Sequence, residues 1–311
     1  MTSNSVPPDR PEFAVLNGNV VPFAEARISI MAPGLTFAAT VFEGFRGYWN
    51  QDEEQLFVFR LTEHLDRLQF AMRVVELLPP PSNADLKRQI HDVIRANGPR
   101  EDCYVRLQTY VDDWGDMAAT GPVGSSAICR RRPRLAAFDT GEHFAVSSWR
   151  RNADDASPPR LKATGNYLNS RLAGLEARRI GAGGAIILNR DGSVSEGPGG
   201  CIFVVRGGHL ITPPVTAGIL ESITRATLLD LATDLGLEAI ERDIDRTELY
   251  LVEEAFYCGT GQEIIPMLSV DGKPVGGGDP GPITQRLQAA YDSVVRGRDD
   301  RYRHWLTKIY D

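Results

Sequence analysis

The sequence contains very little lysine. Of its 34 basic residues only Lys87, Lys162, Lys273 and Lys308 are lysines, and all the others are arginines. Arginine stays charged at any working pH, whereas a lysine amine can lose its proton and act as a nucleophile. The lysine at position 162 therefore needs a reason, because it lies in the segment RLKATGNYLNSR, directly before a predicted helix.

Other absences exclude whole classes of protein. No stretch approaches the roughly 18 consecutive apolar residues that cross a bilayer, and the polar start MTSNSVPPDRPE lacks the apolar core of a signal peptide. The net charge of −7 argues against nucleic acid or an anionic membrane as a partner. We therefore expect small-molecule substrates and a cytoplasmic location.

Cysteine and histidine are also sparse, and neither forms a recognisable site. The four cysteines show no CxxC spacing, so buried thiols in a reducing compartment are expected. The five histidines show no HxH or HExxH pairing, and no metal site is predicted. A GxSxG elbow, a P-loop and a dinucleotide-binding GxGxxG fingerprint are missing too.

What the sequence does contain is a mixture of strand and helix patterns. Asn17-Gly18 between apolar runs predicts a hairpin, and CYVRLQTYV predicts a strand. Apolar residues at helical spacing predict helices within residues 59–77 and 83–98. Because strands and helices are mixed without a regular βαβ alternation, the expected fold class is α+β.

The lysine segment leads into a helix predicted over NYLNSRLAGLEARRIG. We expect Asn166 to cap its first turn and Gly181 to end it. Its buried face is expected to be a stripe of leucines, namely Leu168, Leu172 and Leu175.

A turn-rich and then strongly basic stretch predicts a division into two domains. The expected boundaries are a first domain over residues 1–130, an interdomain loop over 131–140 and a second domain over 141–311. The arginines of RRRPR, from Arg130 to Arg134, fit either a solvated surface loop or a basic flap near an anionic substrate.

Three features of the second half carry candidate chemistry, although each taken singly also fits an ordinary structural role. Lys162, with Tyr167 five residues later, is either a surface lysine or an amine that forms Schiff bases with carbonyl groups. The helix start at Ser222 and Thr224 is either an ordinary N-cap or a phosphate site. Glu196 is either a turn carboxylate in water or the partner of a protonated heterocyclic nitrogen. Together, an amine, a phosphate site and such an acid are what pyridoxal phosphate needs.

The sequence also resembles a known family in six segments that occur in that family's order: VFEGFR, VSSWRR, KATGNYLNSRLAGLEARR, VSEGPGGCIFVV, SITRATLLDLA and YLVEEAFYCGTGQEIIPMLSVDG. They resemble the class IV (fold type IV) pyridoxal-phosphate aminotransferases, and most closely the branched-chain amino acid aminotransferases. The resemblance implies a D-amino acid aminotransferase-like fold, with a small α/β domain, a larger pseudo-barrel domain and pyridoxal 5'-phosphate at their interface. It also implies a homodimer in which the partner's small domain helps to close the substrate pocket.

The resemblance assigns cofactor roles wherever a motif matches. Lys162 matches the Schiff-base lysine that also moves protons, Glu196 the partner of the pyridine nitrogen, and Tyr167 the tyrosine bonded to the ring hydroxyl. Arg60 matches the arginine that clamps the phosphate. The other cofactor contacts are assigned to Leu220, Ile223, Thr224 and Thr260.

The resemblance also assigns a substrate pocket. Tyr104 and Arg106 match a Tyr-x-Arg pair that handles substrate carboxylates, and Gly261 belongs to a turn that matches the cradle of the α-carboxylate. The pocket wall is assigned to Phe37, Phe42, Gly44 and Arg46.

Three departures from the branched-chain pattern concern the substrate. Phe37 replaces the usual tyrosine, GTGQEI replaces the usual GTAAEI at Gly261 and Gln262, and the arginine-rich loop is shorter than the usual aromatic flap. A mobile arginine from such a loop resembles a device of (R)-amine and D-amino acid transaminases. Because the Tyr-x-Arg pair persists, we expect amino transfer between an L-amino acid, branched-chain or hydrophobic, and 2-oxoglutarate. The alternatives are an (R)-amine or D-amino acid transaminase, and a lyase resembling aminodeoxychorismate lyase.

Overall fold

The computed structural model describes residues 10–311, which form two compact units. The first unit comprises the described residues up to Pro133 together with Val295–Asp311, and the second comprises Arg134–Val294. The expected boundaries instead placed all of residues 141–311 in the second domain. Val295–Asp311 belongs to the first unit because its strand Leu306–Lys308 pairs antiparallel with Gln55–Phe59.

Strands and α-helices are interspersed over the described residues. The strands are β1 (Phe13–Leu16), β2 (Asn19–Pro22), β3 (Thr40–Asn50), β4 (Gln55–Phe59), β5 (Cys103–Val111), β6 (Val123–Arg131), β7 (Glu142–Arg150), β8 (Gly184–Leu188), β9 (Cys201–Arg206), β10 (His209–Thr212), β11 (Ala239–Glu241), β12 (Glu254–Gly259), β13 (Glu263–Val270), β14 (Lys273–Pro274) and β15 (Leu306–Lys308). The helices are α1 (Pro33–Thr36), α2 (Leu61–Val74), α3 (Asn83–Asn97), α4 (Ala137–Thr140), α5 (Tyr167–Arg179), α6 (Ile223–Asp234) and α7 (Pro282–Val295). None of the helices within residues 10–311 is long and apolar enough to cross a membrane.

The first unit is built on an antiparallel sheet in the order β15-β4-β3-β5-β6-β1-β2. The predicted hairpin joins β1 to β2 through Asn17 and Gly18, both of which have positive φ. Helix α3 begins at an N-cap, Ser82, whose hydroxyl accepts the Asp85 N–H, and it ends at Gly98 in the left-handed conformation. The two helices predicted in this region are confirmed as α2 and α3.

The buried faces of α2 and β3 are joined by an ionic cluster. The Glu43 carboxylate, fully buried on β3, accepts hydrogen bonds from Arg67 at 2.6 and 2.9 Å and lies 2.7 Å from His64 Nδ1. Burial favours the neutral form, but the Arg67 guanidinium and His64 outweigh it and hold the pKa of Glu43 far below its ordinary value. Because alternate residues of a strand point to opposite faces, Phe42 and Gly44 lie on the face of β3 opposite to Glu43.

The second unit contains a mixed sheet in the order β11-β10-β9-β12-β13-β7-β8, with β14 beside β13. The pairs β7–β8, β7–β13 and β10–β11 are parallel, and the other pairs are antiparallel. Its apolar core is made of alternating strand residues and includes Ile186, Val204, Tyr257 and Ile265.

Helix α5 forms where it was predicted, but it buries a different face. Leu168 is 62% exposed, whereas the buried positions are Ser170, Ala173 and Ala177. Small residues at this spacing let the helix approach the strands beneath it closely, and two of the alanines pack with Ala185 of β8. Gly181, with φ of 78°, follows the helix end as expected.

The stretch predicted as an interdomain loop, residues 131–140, contains regular structure. Arg131 is the last residue of β6, and Ala137–Thr140 forms α4. The boundary between the two units falls between Pro133 and Arg134.

Candidate active site

In the second unit, Lys162 and Tyr167 lie together. The Lys162 Nζ donates a hydrogen bond to the Tyr167 hydroxyl oxygen over 2.9 Å. Tyr167 is the first residue of α5, and a short 3-10 turn over Thr164–Asn166 brings it back towards the lysine. The structure therefore places a phenol next to the one amine that the sequence singles out.

Asn166, expected to be a helix cap, holds the lysine segment instead. Its side chain makes no capping bond and is 4% exposed. The side-chain amide donates to the carbonyl oxygens of Pro158 at 2.8 Å and Leu161 at 2.9 Å, and its oxygen accepts from Ser157. These bonds fix the backbone on the N-terminal side of Lys162, a role that the helix-capping interpretation missed.

Glu196, the predicted acid, is buried rather than solvated. It lies two residues after Val194, which forms an isolated β-bridge with Leu188, and it is 4% exposed. Its carboxylate accepts hydrogen bonds from an Arg151 Nη2 group and from the Leu220 N–H, the latter over 3.2 Å. Burial raises the pKa of Glu196 above its ordinary value, while the positive charges of Arg151 and Lys162 and the bond from Leu220 oppose that rise.

Arg151 is a buried partner of Glu196 to which the sequence reasoning gave no role. It is 7% exposed, and besides Glu196 it donates through Nε to the Gly218 carbonyl oxygen over 3.0 Å. The segment VSSWRR signals it, since a second arginine follows directly after a half-buried strand. Two buried, oppositely charged side chains with further hydrogen bonds form a fixed pair, so the Glu196 carboxylate is held in one orientation.

The predicted phosphate site is the first turn of α6. Ser222 is its N-cap, and the hydroxyl accepts the Arg225 N–H over 3.2 Å. Ile223 and Thr224 come between them, and the N–H groups of the first helical turn have no carbonyl partner within the helix. Both residues are buried. Because this turn begins a helix, a phosphate group bound here would meet aligned backbone donors and the positive end of the helix dipole.

Thr260 and Gly261 lie in the tight turn between β12 and β13. The turn is closed by a hydrogen bond from the Gln262 N–H to the Gly259 carbonyl oxygen over 3.1 Å. Beneath it, Gly200 packs so closely against the carbonyl of Cys258 that a Cβ atom would collide with it.

In the first unit, the residues assigned to the substrate lie on one face of β3 and β5. Gly44 pairs with Arg106, and Arg46 pairs with Tyr104. The Tyr104 hydroxyl sits over Gly44, where any Cβ atom would collide with it. The Arg106 guanidinium lies over the Phe42 ring, 4.0 Å from its centroid. This face therefore presents a phenol and a guanidinium against an aromatic ring.

The remaining members of the predicted pocket differ in exposure. Arg46 is 1% exposed and its guanidinium lies 3.9 Å from the Asp102 carboxylate and over the Tyr48 ring, so it has structural contacts of its own. Phe37 follows α1 and is 45% exposed.

Arg60, the predicted phosphate clamp, is the N-cap residue of α2 and has a left-handed backbone conformation. Its Nε donates to the Glu63 carboxylate over 2.7 Å, and its guanidinium lies over the ring of Trp305. Both partners belong to the first unit.

Two of the arginines of RRRPR make ion pairs within their own unit. Arg134 donates to the buried Glu263 carboxylate at 2.9 and 3.2 Å and to Asp292 at 2.7 Å, within the second unit. Arg131 donates to Glu101 within the first unit. At least these two members are held in ion pairs.

Comparison with known proteins gives these arrangements a family. The family model for amino-transferase class IV matches residues 40–270. The chain belongs to the class IV aminotransferases. The α+β, fold type IV architecture is thereby confirmed, and this aminotransferase belongs to a pyridoxal-phosphate-dependent family.

Individual relatives of the aminotransferase match over nearly the whole chain. The probable branched-chain-amino-acid aminotransferase of Aquifex aeolicus is 39% identical over 96% of this chain and 97% of its own. The crystal structure of a branched-chain amino acid aminotransferase from Thermobaculum terrenum, in PLP-form, is 40% identical, with a TM-score of 0.91, over 97% of this chain and 100% of its own. The crystal structure of the T.th. branched-chain amino acid aminotransferase, complexed with N-(5'-phosphopyridoxyl)-L-glutamate, is 32% identical, with a TM-score of 0.92 and the same coverage.

Proposed function

We propose that this aminotransferase binds pyridoxal phosphate and transfers an amino group between a branched-chain or hydrophobic L-amino acid and 2-oxoglutarate. The observation that carries the proposal is the Lys162 amine, bonded to the Tyr167 phenol in the same unit as the buried Glu196–Arg151 pair. The Lys162 amine, the Tyr167 phenol and the Glu196 carboxyl suit the cofactor. It requires an amine for its aldehyde, a hydrogen-bond donor for its ring hydroxyl and an acid for its pyridine nitrogen. When bound, the cofactor supplies an electron sink for the charge that develops at the substrate Cα.

Each of these residues has a distinct task. Lys162 would hold the cofactor through its aldehyde and then carry the proton that leaves the substrate Cα. Tyr167 would keep a hydrogen bond on the ring hydroxyl. Glu196, whose anionic form is favoured by Arg151 and the Leu220 N–H, would hold a proton on the pyridine nitrogen, which is the protonation state that withdraws electrons most strongly.

Each unit, taken by itself, presents donors that suit a phosphate group. In the second unit these are the first N–H groups of α6, at Ile223 and Thr224, together with Thr260. In the first unit the donor is the Arg60 guanidinium, whose planar edge suits a phosphate. Leu220, fixed by its N–H bond to Glu196, would pack against the ring face.

The substrate proposal rests on the face of β3 and β5. Phe42, 3% exposed beneath the Arg106 guanidinium, gives this face an apolar ring, while Tyr104 and Arg106 give a hydroxyl and a charge that can meet a carboxylate. An apolar side chain and the second carboxylate of glutamate could thus be accepted on the same surface. The L-glutamate adduct bound by the T.th. relative supports an L-amino acid and the 2-oxoglutarate couple.

The alternative of an (R)-amine or D-amino acid transaminase depended on a mobile arginine in RRRPR. The ion pairs of Arg131 and Arg134 weigh against that device. A direct test is to supply L-leucine, D-alanine and (R)-1-phenylethylamine with 2-oxoglutarate or pyruvate as acceptor. We expect turnover with L-leucine and 2-oxoglutarate; no turnover of L-leucine together with reaction of the amine would refute the substrate proposal. Release of pyruvate without an acceptor would identify a lyase instead.

The lysine assignment has its own test. Lys162→Arg keeps the positive charge, but a guanidinium does not readily condense with an aldehyde. We expect this variant to fold, to lose the visible absorbance band of the bound cofactor and to lose all turnover of L-leucine. Arg160→Lys, two residues away, leaves the amine at position 162 and serves as the matched control.

We also propose a homodimer in the cytoplasm. Several large apolar side chains of the first unit are exposed, which supports a protein contact: Ile30, Leu35, Phe37, Trp114 and Met117. Light scattering on the purified protein tests the dimer. The four cysteines are buried free thiols, which supports a reducing compartment, and cell fractionation tests the location.

A further inference from the structure

This inference starts from the side chain of Trp305, which precedes the outermost strand of the first unit. The guanidinium of Arg60 lies over its indole ring, 4.4 Å from the centroid. The Trp305 carbonyl oxygen also accepts a hydrogen bond from the Arg60 N–H over 2.7 Å. One residue therefore contacts both the backbone and the charged group of the predicted phosphate clamp.

Arg60 adopts a conformation that needs such support. Its φ of 48° and ψ of 45° are left-handed, which is unfavourable for a residue with a Cβ atom and persists where the surroundings hold it. The bond to Trp305 fixes its backbone, and the bond from Nε to the Glu63 carboxylate fixes the side chain.

Trp305 is itself held firmly. Its ring packs against Tyr302 at 4.4 Å between centroids and meets Phe59 edge-on at 6.0 Å. The residues that follow it form β15, which pairs with β4, and β4 ends directly before Arg60. The sheet that presents the arginine is thus the one that fixes the indole ring.

We propose that Trp305 is a positioning residue that orients Arg60 for the cofactor phosphate, an inference that rests on the proposed role of Arg60. Stacking sets the plane of the guanidinium, and the Glu63 bond sets its rotation within that plane. Because a guanidinium recognises phosphate through its planar edge, fixing the plane in advance reduces the side-chain entropy lost on binding. Trp305 thereby adds to phosphate affinity without touching the phosphate.

The experiment compares two ligands that differ only in the phosphate. The full-length protein is freed of cofactor and titrated with pyridoxal 5'-phosphate and with pyridoxal. We expect Trp305→Leu to weaken binding of the phosphorylated ligand about tenfold and to change binding of pyridoxal less than about twofold. Trp49→Leu is the matched control, because Trp49 is also half-buried in the first unit and carries Arg100 over its ring; it should change neither constant.

Other outcomes decide against the proposal. Equal weakening of both ligands by Trp305→Leu would show a role in folding alone and overturn it. In an Arg60→Lys background, Trp305→Leu should cause no further loss, because its effect passes through Arg60, and an additive loss would overturn it too.

Two further measurements keep the test decisive. If Trp305→Leu does not fold, Trp305→Phe retains a smaller ring face; a loss of about threefold for the phosphorylated ligand alone supports the proposal, and an equal loss for both overturns it. Failure of the wild-type protein to bind pyridoxal phosphate would refute the proposed function itself, and the inference with it.

Discussion

Removing Arg151 should make the stability of the cofactor-free protein strongly dependent on pH. Arg151 and Glu196 are 7% and 4% exposed, so Arg151→Met leaves a carboxylate with little solvent and no guanidinium beside it. Truncating one partner of a buried ion pair costs about 3–5 kcal/mol while the other stays charged. The carboxyl can escape that cost only by taking up a proton.

The sign of the pH effect follows from the direction of the pKa shift. Burial already raises the pKa of Glu196 in the folded protein, and loss of the opposing Arg151 charge raises it further. The folded variant therefore binds more protons than the unfolded chain over a wider pH range than the wild type does. Its stability falls as the pH rises through that range. Below about pH 4.5, the pKa of this carboxyl in the unfolded chain, Glu196 is protonated in both states and does not lower the stability. Each pH unit above that value lowers the free energy of unfolding by about 1.4 kcal/mol until the pKa of the folded state is reached.

The assay is thermal unfolding of the cofactor-free protein, followed by circular dichroism between pH 5 and pH 8. We expect the Tm of Arg151→Met to fall below that of the wild type by an amount that grows to roughly 10 °C at pH 8. Adding Glu196→Gln to the variant should abolish the growth of this difference. Arg225→Met is a matched control, because Arg225 is equally buried but its partner Glu241 is 45% exposed and can return to water. A Tm difference that stays constant from pH 5 to pH 8 in Arg151→Met would refute the reasoning.

Three other substitutions test separate parts of the structure. Gly44→Ala should raise the KM for L-leucine about tenfold, because the new methyl group displaces the Tyr104 phenol from its place over Gly44; steady-state kinetics check this, and an unchanged KM would contradict it. Glu43→Gln should lower the free energy of unfolding by about 3–5 kcal/mol at pH 7, because it breaks the buried cluster with His64 and Arg67. Since the pKa of Glu43 is lowered in the folded state, that deficit should shrink as pH falls below about 4.5, and urea unfolding at pH 7 and pH 4 measures it. Arg134→Ala should destabilise the protein by about 3 kcal/mol because it removes the hydrogen bonds of Arg134 to the buried Glu263 carboxylate, without changing the preference for L-leucine over (R)-1-phenylethylamine; a changed preference would restore the flap hypothesis.

Local patterns predicted the elements well where one face of an element is buried. The strand predicted at CYVRLQTYV is β5, and its burial alternates over most of its length because every second side chain points to the same face. The helix predicted within 83–98 is α3, since its apolar spacing, its serine cap and its terminal glycine all agree.

The buried face of α5 was predicted wrongly for a physical reason. Leucine is the more hydrophobic residue, but a helix that packs closely on strands needs small side chains at the contact. Ala173 and Ala177 satisfy this need, and Leu168 is left on the surface. A prediction from hydrophobicity alone does not take into account how closely the backbone of α5 approaches the strands beneath it.

A contact between two predicted site residues can be anticipated from sequence when both lie in one short segment. Lys162 and Tyr167 are five positions apart and are hydrogen-bonded, as their spacing allows. Arg151 and Glu196 are 45 positions apart, and their pairing depends on how β7 and the loop after β8 meet in the fold. The spacing of residues along the sequence does not predict a contact between such distant positions. Arg151 was therefore part of the motif VSSWRR but was assigned no role.

The first unit cannot complete its sheet in the order in which the chain is made. When a ribosome has produced only the strands up to Pro133, β4 has β3 on one side and an open edge on the other, since β15 is encoded after the whole second unit. Every residue of β4 is buried in the finished protein, so the nascent edge is apolar and can pair with neighbouring chains. The second unit, continuous in sequence, can fold in the meantime. The edge of β4 can therefore be covered by β15 only after the whole second unit has been synthesised.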